Sequence, residues 1–201
     1  RLGANAILGI SLAVCRAAAA AADIPLYEHL ANLSGKKKKS TAFPVPMFNI
    51  LNGGKHSDSG LSVQEFKIIP SGITTYKEQL RAGSEIFHTL KKILGQEGFA
   101  VGVGDEGGFA PHLESHTQAL QLIVRAITEA GYRPGQDVCI GLDVAANSFY
   151  EAEENQYALK PENVSLSRES LINVYREWVQ TYVVVSLEDG LHDEDCEGWA
   201  L

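Results

Sequence analysis

Apolar positions along the chain follow two rhythms in turn. The opening run "ANAILGISLAVCRAAAAAA" is apolar with a single charge, Arg16, and predicts a helix from about Asn5 to Ala22, closed off by Pro25. A second short helix is expected over about Leu26 to Leu33, followed by the polar run "SGKKKKST". Beyond that run, strand-like and helix-like spacing alternate. "VPMFNIL" and "QEFKIIP" read as strands, with Pro44 and Pro46 near the start of the first, where a missing ladder donor is best tolerated. The Gly-rich "NGGKHSDSG" joins them. Tyr76, Leu80, Phe87, Leu90 and Leu94 recur at helical spacing, with Gly95 near the stop. "AVGVG" predicts a strand that ends in Asp105 and Glu106. Ser115 with Gln118 has the form of a capping box, opening a helix that carries Leu120, Ile123 and Ile127 and stops at Gly131. "VCIGLDV" is the next strand and "FYEAEENQYAL" a small hairpin. Ser167 then caps a helix with Leu171, Val174 and Trp178, and "YVVVSLEDG" is a strand running into acids.

From Glu106 onward the order is strand, helix, strand, helix, strand, which predicts an α/β fold with a parallel sheet and helical crossovers. Three of the apolar strands end in an acid: Glu106, Asp143 and Glu188. Each is separated from the next by enough chain for one strand–helix unit. In a closed (β/α) barrel the C-terminal strand ends converge on one face, so acids far apart in sequence would meet there.

Composition narrows the functional classes. With 201 residues, 45% apolar and 21% charged, the chain is globular and long enough for one domain or part of a larger one. A net charge of −8 argues against nucleic acid as a partner, because phosphate backbones need clustered Lys and Arg. A small anion can still bind if a metal supplies positive charge. Cys15, Cys139 and Cys196 are far apart and form neither a disulfide framework nor a zinc signature, which favours a reducing, cytoplasmic compartment. The Ala-rich opening run, interrupted by Arg16, is expected to be a buried helix and not a membrane span. Lys36 to Lys39 read as a solvated loop. The chain opens at Arg1 and stops at "CEGWAL" without a turn or cap signal, so both ends are expected to lie inside a longer sequence.

The stretch "VGVGDEGGF" contains Gly102-x-Gly104-x-x-Gly107, the spacing of a dinucleotide-binding loop. Context removes that reading. Gly107 should open a helix directly, yet the helix begins only near Ser115, and Asp105 and Glu106 would face the phosphates. No Lys-Ser or Lys-Thr pair follows, which excludes a P-loop. The glycines are better read as letting the backbone turn tightly and bring Glu106 into a cleft. Carboxylates gathered in one site repel each other unless a cation neutralises them, and an oxygen-only set with no Cys or His cluster suits Mg2+ over zinc. Such a site can stabilise the anion formed by removing a proton beside a carboxylate. Any one of these acids could instead cap a helix or pair with an Arg. Three at strand ends, flanked by glycines, point to a shared site. His56, in a Gly-rich loop, and Glu65, at the start of a strand, cannot be assigned from the residues alone.

In chain order, "GANAILGISLAV", "PVPMFNILNGGKH", "QEFKIIPSG", "VGDEGGFAP", "GLDVAANSFY" and "VVSLEDGL" resemble the enolase (phosphopyruvate hydratase) family over nearly the whole chain. The resemblance implies a TIM-like (β/α)8 barrel whose first two strands are antiparallel. Residues 1–40 would be the helical end of an N-terminal region, and residues 41–201 the first part of the barrel, about five of eight strands. It also implies Mg2+ and the interconversion of 2-phosphoglycerate and phosphoenolpyruvate in glycolysis. Glu106 matches the acid that protonates the departing hydroxyl, assisted by Glu65. Asp143 and Glu188 match two of three metal-holding carboxylates, with Glu188 also lying against the substrate. His56 and Gln64 match substrate contacts. The third metal Asp, the lysine base and the phosphate-holding residues are expected beyond Leu201, so the segment alone should be inactive. A homodimer is expected for the full-length protein, with neither nucleic acid nor a membrane span. The alternative is a naturally truncated, inactive binding or scaffold protein using Lys36 to Lys39.

Overall fold

A computed structural model describes residues 3–35, 43–54, 57, 59–104 and 107–201. The chain divides into two compact units, Arg1–Pro44 and Val45–Leu201.

The first unit holds helices α1 (Ala4–Ala21) and α2 (Leu26–Leu33). α1 stops for a local reason. Asp23 takes a left-handed backbone with φ 52°, and the Ile24 and Asp23 N–H groups donate back to the Ala19 and Ala20 carbonyls, each at 3.1 Å. This pairing satisfies the last carbonyls of the helix, and Pro25 cannot continue it. The expected burial of α1 is not found. Only Ala19 is buried, while Ile7, Leu8, Ile10, Leu12 and Val14 are exposed. The helix is apolar around most of its circumference, and among the described residues of its unit only the eight-residue α2 is present to cover it. At 18 residues and a mean hydropathy of 1.6, α1 is long and apolar enough to cross a membrane by length and composition alone.

The second unit is built on a four-stranded sheet in the order β1 (Phe48–Asn52), β2 (Glu65–Ile69), β3 (Cys139–Asp143), β7 (Val184–Glu188). β2 runs antiparallel to both β1 and β3, and β3 and β7 are parallel. A second sheet, β4 (Tyr150–Glu151), β5 (Gln156–Leu159) and β6 (Val164–Leu166), adds a third strand to the expected hairpin. Helices α3 (Tyr76–Gln96), α4 (His116–Glu129) and α5 (Arg168–Tyr182) complete the unit. Alternation divides the main sheet into two faces. Phe66 and Ile68 of β2 and Ile140 and Leu142 of β3 share one buried core with Ile86 and Leu90 of α3 and Leu120 and Ile123 of α4. The other face carries Glu65, Lys67, Asp143 and Glu188.

Helix starts follow their side chains. Thr75, Ser115 and Ser167 each accept a hydrogen bond from the backbone N–H three residues on, at 3.1–3.3 Å. The reciprocal half of the Ser115 box is shifted by one residue, because Gln118 Oε1 accepts from Glu114 N–H at 2.8 Å. One expected strand is absent among the described residues. Residues 101–104 of "AVGVG" make only an isolated antiparallel bridge, Val103 to Phe109. The Gly104 N–H donates to the Gly108 carbonyl (2.8 Å) and the Gly107 N–H to the Gly104 carbonyl (3.0 Å), so the segment pairs with itself.

At the opposite end of β2, Gly72 donates its N–H to the Asp137 carbonyl, and a Cβ added there would lie 1.7 Å from the Gln136 carbonyl oxygen. Only a glycine permits that approach. Gly72→Ala is expected to cost about 1–3 kcal/mol by forcing the two backbones apart. Denaturant unfolding measures it, and an unchanged midpoint would refute the contact.

Candidate active site

Strand register assembles the site. Asn52 pairs with Glu65, Glu65 with Asp143, and Asp143 with Glu188, so four residues from four strands stand in one row across the sheet. Residues directly opposite in a ladder point to the same face. Because β2 is antiparallel, its first residue, Glu65, lies beside the last residues of β3 and β7. Backbone bonds continue past the row: Gln64 N–H donates to the Asp143 carbonyl (3.1 Å), Gly53 N–H to Gln64 (2.8 Å) and Val144 N–H to Glu188 (3.0 Å).

A cation accompanies the acids. Lys67, two residues along β2, shares the face of Glu65 and stands opposite Gly141, which carries no side chain. Its Nζ lies 2.8 Å from Glu65 Oε2 and 2.9 Å from Glu188 Oε2, with the lysine side chain only 14% exposed. Burial alone would depress the Lys67 ammonium. Hydrogen bonds and charge from Glu65 and Glu188 outweigh it and leave the group above the ordinary lysine value. Asp143 is pushed above the usual carboxylate range, first by burial and then by the charge of Glu188, with Lys67 opposing. Its Oδ1 is buried with no hydrogen-bond partner.

The glycine segment closes against β1. Asn52 N–H donates to the Phe109 carbonyl (2.8 Å), Phe109 N–H to Ile50 (3.0 Å), and Asn52 Nδ2 reaches the Gly108 carbonyl at 3.3 Å. A Cβ at Gly104 would sit 2.5 Å from Asn52 Nδ2, and one at Gly108 2.8 Å from the Leu51 nitrogen. These glycines therefore permit close backbone approach. Two of the sequence-derived candidates, Glu106 and His56, lie outside the described residues, as do Lys36 to Lys39.

The segment leading into Gln64 and Glu65 is braced from below. His116, wholly buried at the start of α4, accepts the Ser62 and Val63 N–H groups at Nε2 (3.1 and 3.2 Å). Its Nδ1 lies 2.8 Å from Glu162, which also accepts the His116 backbone N–H at 2.8 Å. Burial would raise the Glu162 carboxyl, but its hydrogen bonds and charge contact with His116 prevail and hold it below the usual value. Ser62 exchanges further bonds with Lys160, at 2.9 and 2.8 Å.

A cleft of about 420 Å³ borders this loop, lined among others by Gly54, Ser62, Phe149, Tyr150 and Lys160. A second, of about 330 Å³, includes Ala145, Asn147, Asp189 and Asp193, just past the ends of β3 and β7. The donor chemistry suits a hard cation: oxygen ligands only, one of them a buried carboxylate oxygen left without a partner. Among the described residues, however, no three His, Cys, Asp or Glu residues are arranged around one point. Glu65 and Glu188 are instead drawn onto Lys67. Of the groups that shape the site, sequence reasoning missed Lys67 and His116. Alternation along "QEFK" places Lys67 on the face of Glu65, so that signal was available. Nothing local distinguishes His116.

Comparison with known families gives two matches. A family model described as "Enolase, C-terminal TIM barrel domain" matches residues 40–201, most of the chain. One described as "Enolase, N-terminal domain" matches residues 1–30, which include α1.

Proposed function

The chain belongs to the enolase family, and from that membership we propose that it carries the general acid and part of the metal site of a Mg2+-dependent hydro-lyase. The reaction is the reversible dehydration of 2-phosphoglycerate to phosphoenolpyruvate in glycolysis and gluconeogenesis. The observation that supports it is the single row of Glu65, Asp143 and Glu188 across three strands, with one carboxylate oxygen of Asp143 unpartnered.

In this reading Asp143 and Glu188 hold Mg2+, together with a carboxylate expected beyond residue 201. The ion supplies positive charge where a second negative charge develops beside the substrate carboxylate. Glu106 gives a proton to the departing hydroxyl, since hydroxide is a poor leaving group at neutral pH. Glu65 assists it, and His56 and Gln64 orient the substrate. The His116–Glu162 pair holds the Ser62–Val63 backbone and so fixes where Gln64 and Glu65 begin. The same reading places the protein in the cytoplasm as a homodimer acting on a small molecule, with residues 1–40 and 41–201 as its two divisions and the barrel as the frame for the row.

The test is formation of phosphoenolpyruvate from 2-phosphoglycerate by the full-length protein with Mg2+, followed by ultraviolet absorbance. Turnover that stops on chelation supports the proposal. A folded full-length protein that binds neither compound and turns neither over refutes it.

A further inference from the structure

We propose that Lys67 is a built-in competitor for the divalent cation: its ammonium occupies the Glu188 oxygen that the ion requires, so the ion must displace Lys67 onto Glu65. This inference rests on the metal-holding role proposed for Asp143 and Glu188.

Four observations carry it. First, Lys67 Nζ lies 2.9 Å from Glu188 Oε2, within direct ion-pair distance. A divalent ion on that oxygen, at the roughly 2.0–2.1 Å of a magnesium–oxygen bond, would stand close against the ammonium, and like charges in a partly dry site repel strongly. One of them must leave. Second, Lys67 has somewhere to go, because Glu65 Oε2 is already 2.8 Å away. The lysine therefore loses one partner and keeps the other. Third, Gly141 stands opposite Lys67 in the ladder and carries no side chain, so β3 itself puts no group beside the lysine. The position a Cβ would take is filled by Ile69 Cδ1, 2.9 Å away, which leaves Glu65 as the direction of withdrawal. Fourth, Asp143 has no ion pair with Lys67, and its Oδ1 has no partner at all, so it is the ligand ready to meet an incoming ion.

The arrangement has two states. Without the ion, one ammonium offsets the acid row by bridging its first and last members. With the ion, Asp143 and Glu188 turn to it and Lys67 remains on Glu65. Lys67 thus stabilises the metal-free site and weakens ion binding at the same position. A lysine with a purely structural role would not produce that pair of opposite signs.

The experiment measures Mn2+ binding to the full-length protein by titration calorimetry and by loss of the free-ion electron paramagnetic signal. It compares the wild type with Lys67→Met, Lys67→Gln and Lys67→Arg. The neutral variants should bind Mn2+ at least about tenfold more tightly, with a larger rise in melting temperature on adding Mn2+ and a lower melting temperature without it. Lys67→Arg keeps the charge and should bind like the wild type. If Lys67→Met does not fold, Lys67→Gln, closer in polarity, decides the question. Folded neutral variants with unchanged or weaker Mn2+ affinity would overturn the role of Lys67 and leave the metal site standing. Absence of Mn2+ binding in every form, wild type included, would overturn both.

Discussion

Asp143→Asn is expected to reduce cation-dependent turnover by about 10²-fold or more, and also to make the metal-free protein more stable. The amide preserves the shape of the side chain and removes its charge. On the metal side, the unpartnered Oδ1 of Asp143 is the most available ligand in the row, and a neutral amide oxygen binds a hard cation far less well. On the stability side, Asp143 stands directly between Glu65 and Glu188 in the ladder, and among the described residues one ammonium, Lys67, pairs with the three-carboxylate row. Removing a like charge from such a row is worth up to about 1 kcal/mol, or about 2–4 °C in melting temperature for a domain of this size. Both are read on one preparation, by phosphoenolpyruvate formation with Mg2+ and by thermal unfolding in chelator. Full activity in the variant would mean that the row holds no essential ion. A lower melting temperature without metal would mean that Asp143 supports the fold.

His116→Ala is expected to cost about 3 kcal/mol, because the buried Val63 N–H loses its acceptor and the half-buried Glu162 carboxylate loses its side-chain partner together. Val63 N–H would face the cavity left by the imidazole, Ser62 N–H would keep only its bond to the Lys160 carbonyl, and Glu162 would keep only the backbone bond from residue 116. At about 2–4 °C per kcal/mol for a domain of this size, the melting temperature should fall by roughly 6–12 °C. His116→Gln, with an acceptor of similar reach, should recover part of it. Because the His116 contact holds Glu162 below its ordinary value of 4.5, the stability it contributes is fully present above that value. It is lost as pH falls through the lowered folded value. The gap between wild type and His116→Ala should therefore narrow in acid. A cost below about 1 kcal/mol, or one that stays constant with pH through the acid range, would show that the brace is not what holds the loop.

Local features of the fold were legible because their causes are local. Thr75, Ser115 and Ser167 bond to N–H groups three residues away, and α1 ends where Asp23 turns left-handed before Pro25. Apolar spacing marked the faces of α3, α4 and α5 for the same reason. The expectations that failed depend on neighbours. "AVGVG" has strand composition, but its glycines let it fold onto Gly108 and Phe109 instead of extending. The apolar run of α1 called for burial, and the described residues of its own unit lack the surface to provide it. β6 is three residues long, too short for any period to show.

By itself the sequence determined which residues carry charge at strand ends, which faces are apolar, and the family to which the motifs belong. Alternation could also place Lys67 with Glu65, since side chains two apart on a strand share a face. Only the tertiary structure decided that Glu65 sits beside Asp143 and Glu188, because that depends on β2 running antiparallel between its neighbours and on the register of three strands. It alone decided that Lys67 reaches Glu188, 121 residues away, and that His116 is a buried brace. Pairing of strands distant in sequence is set by the packing of the whole core, and no period within one segment records it.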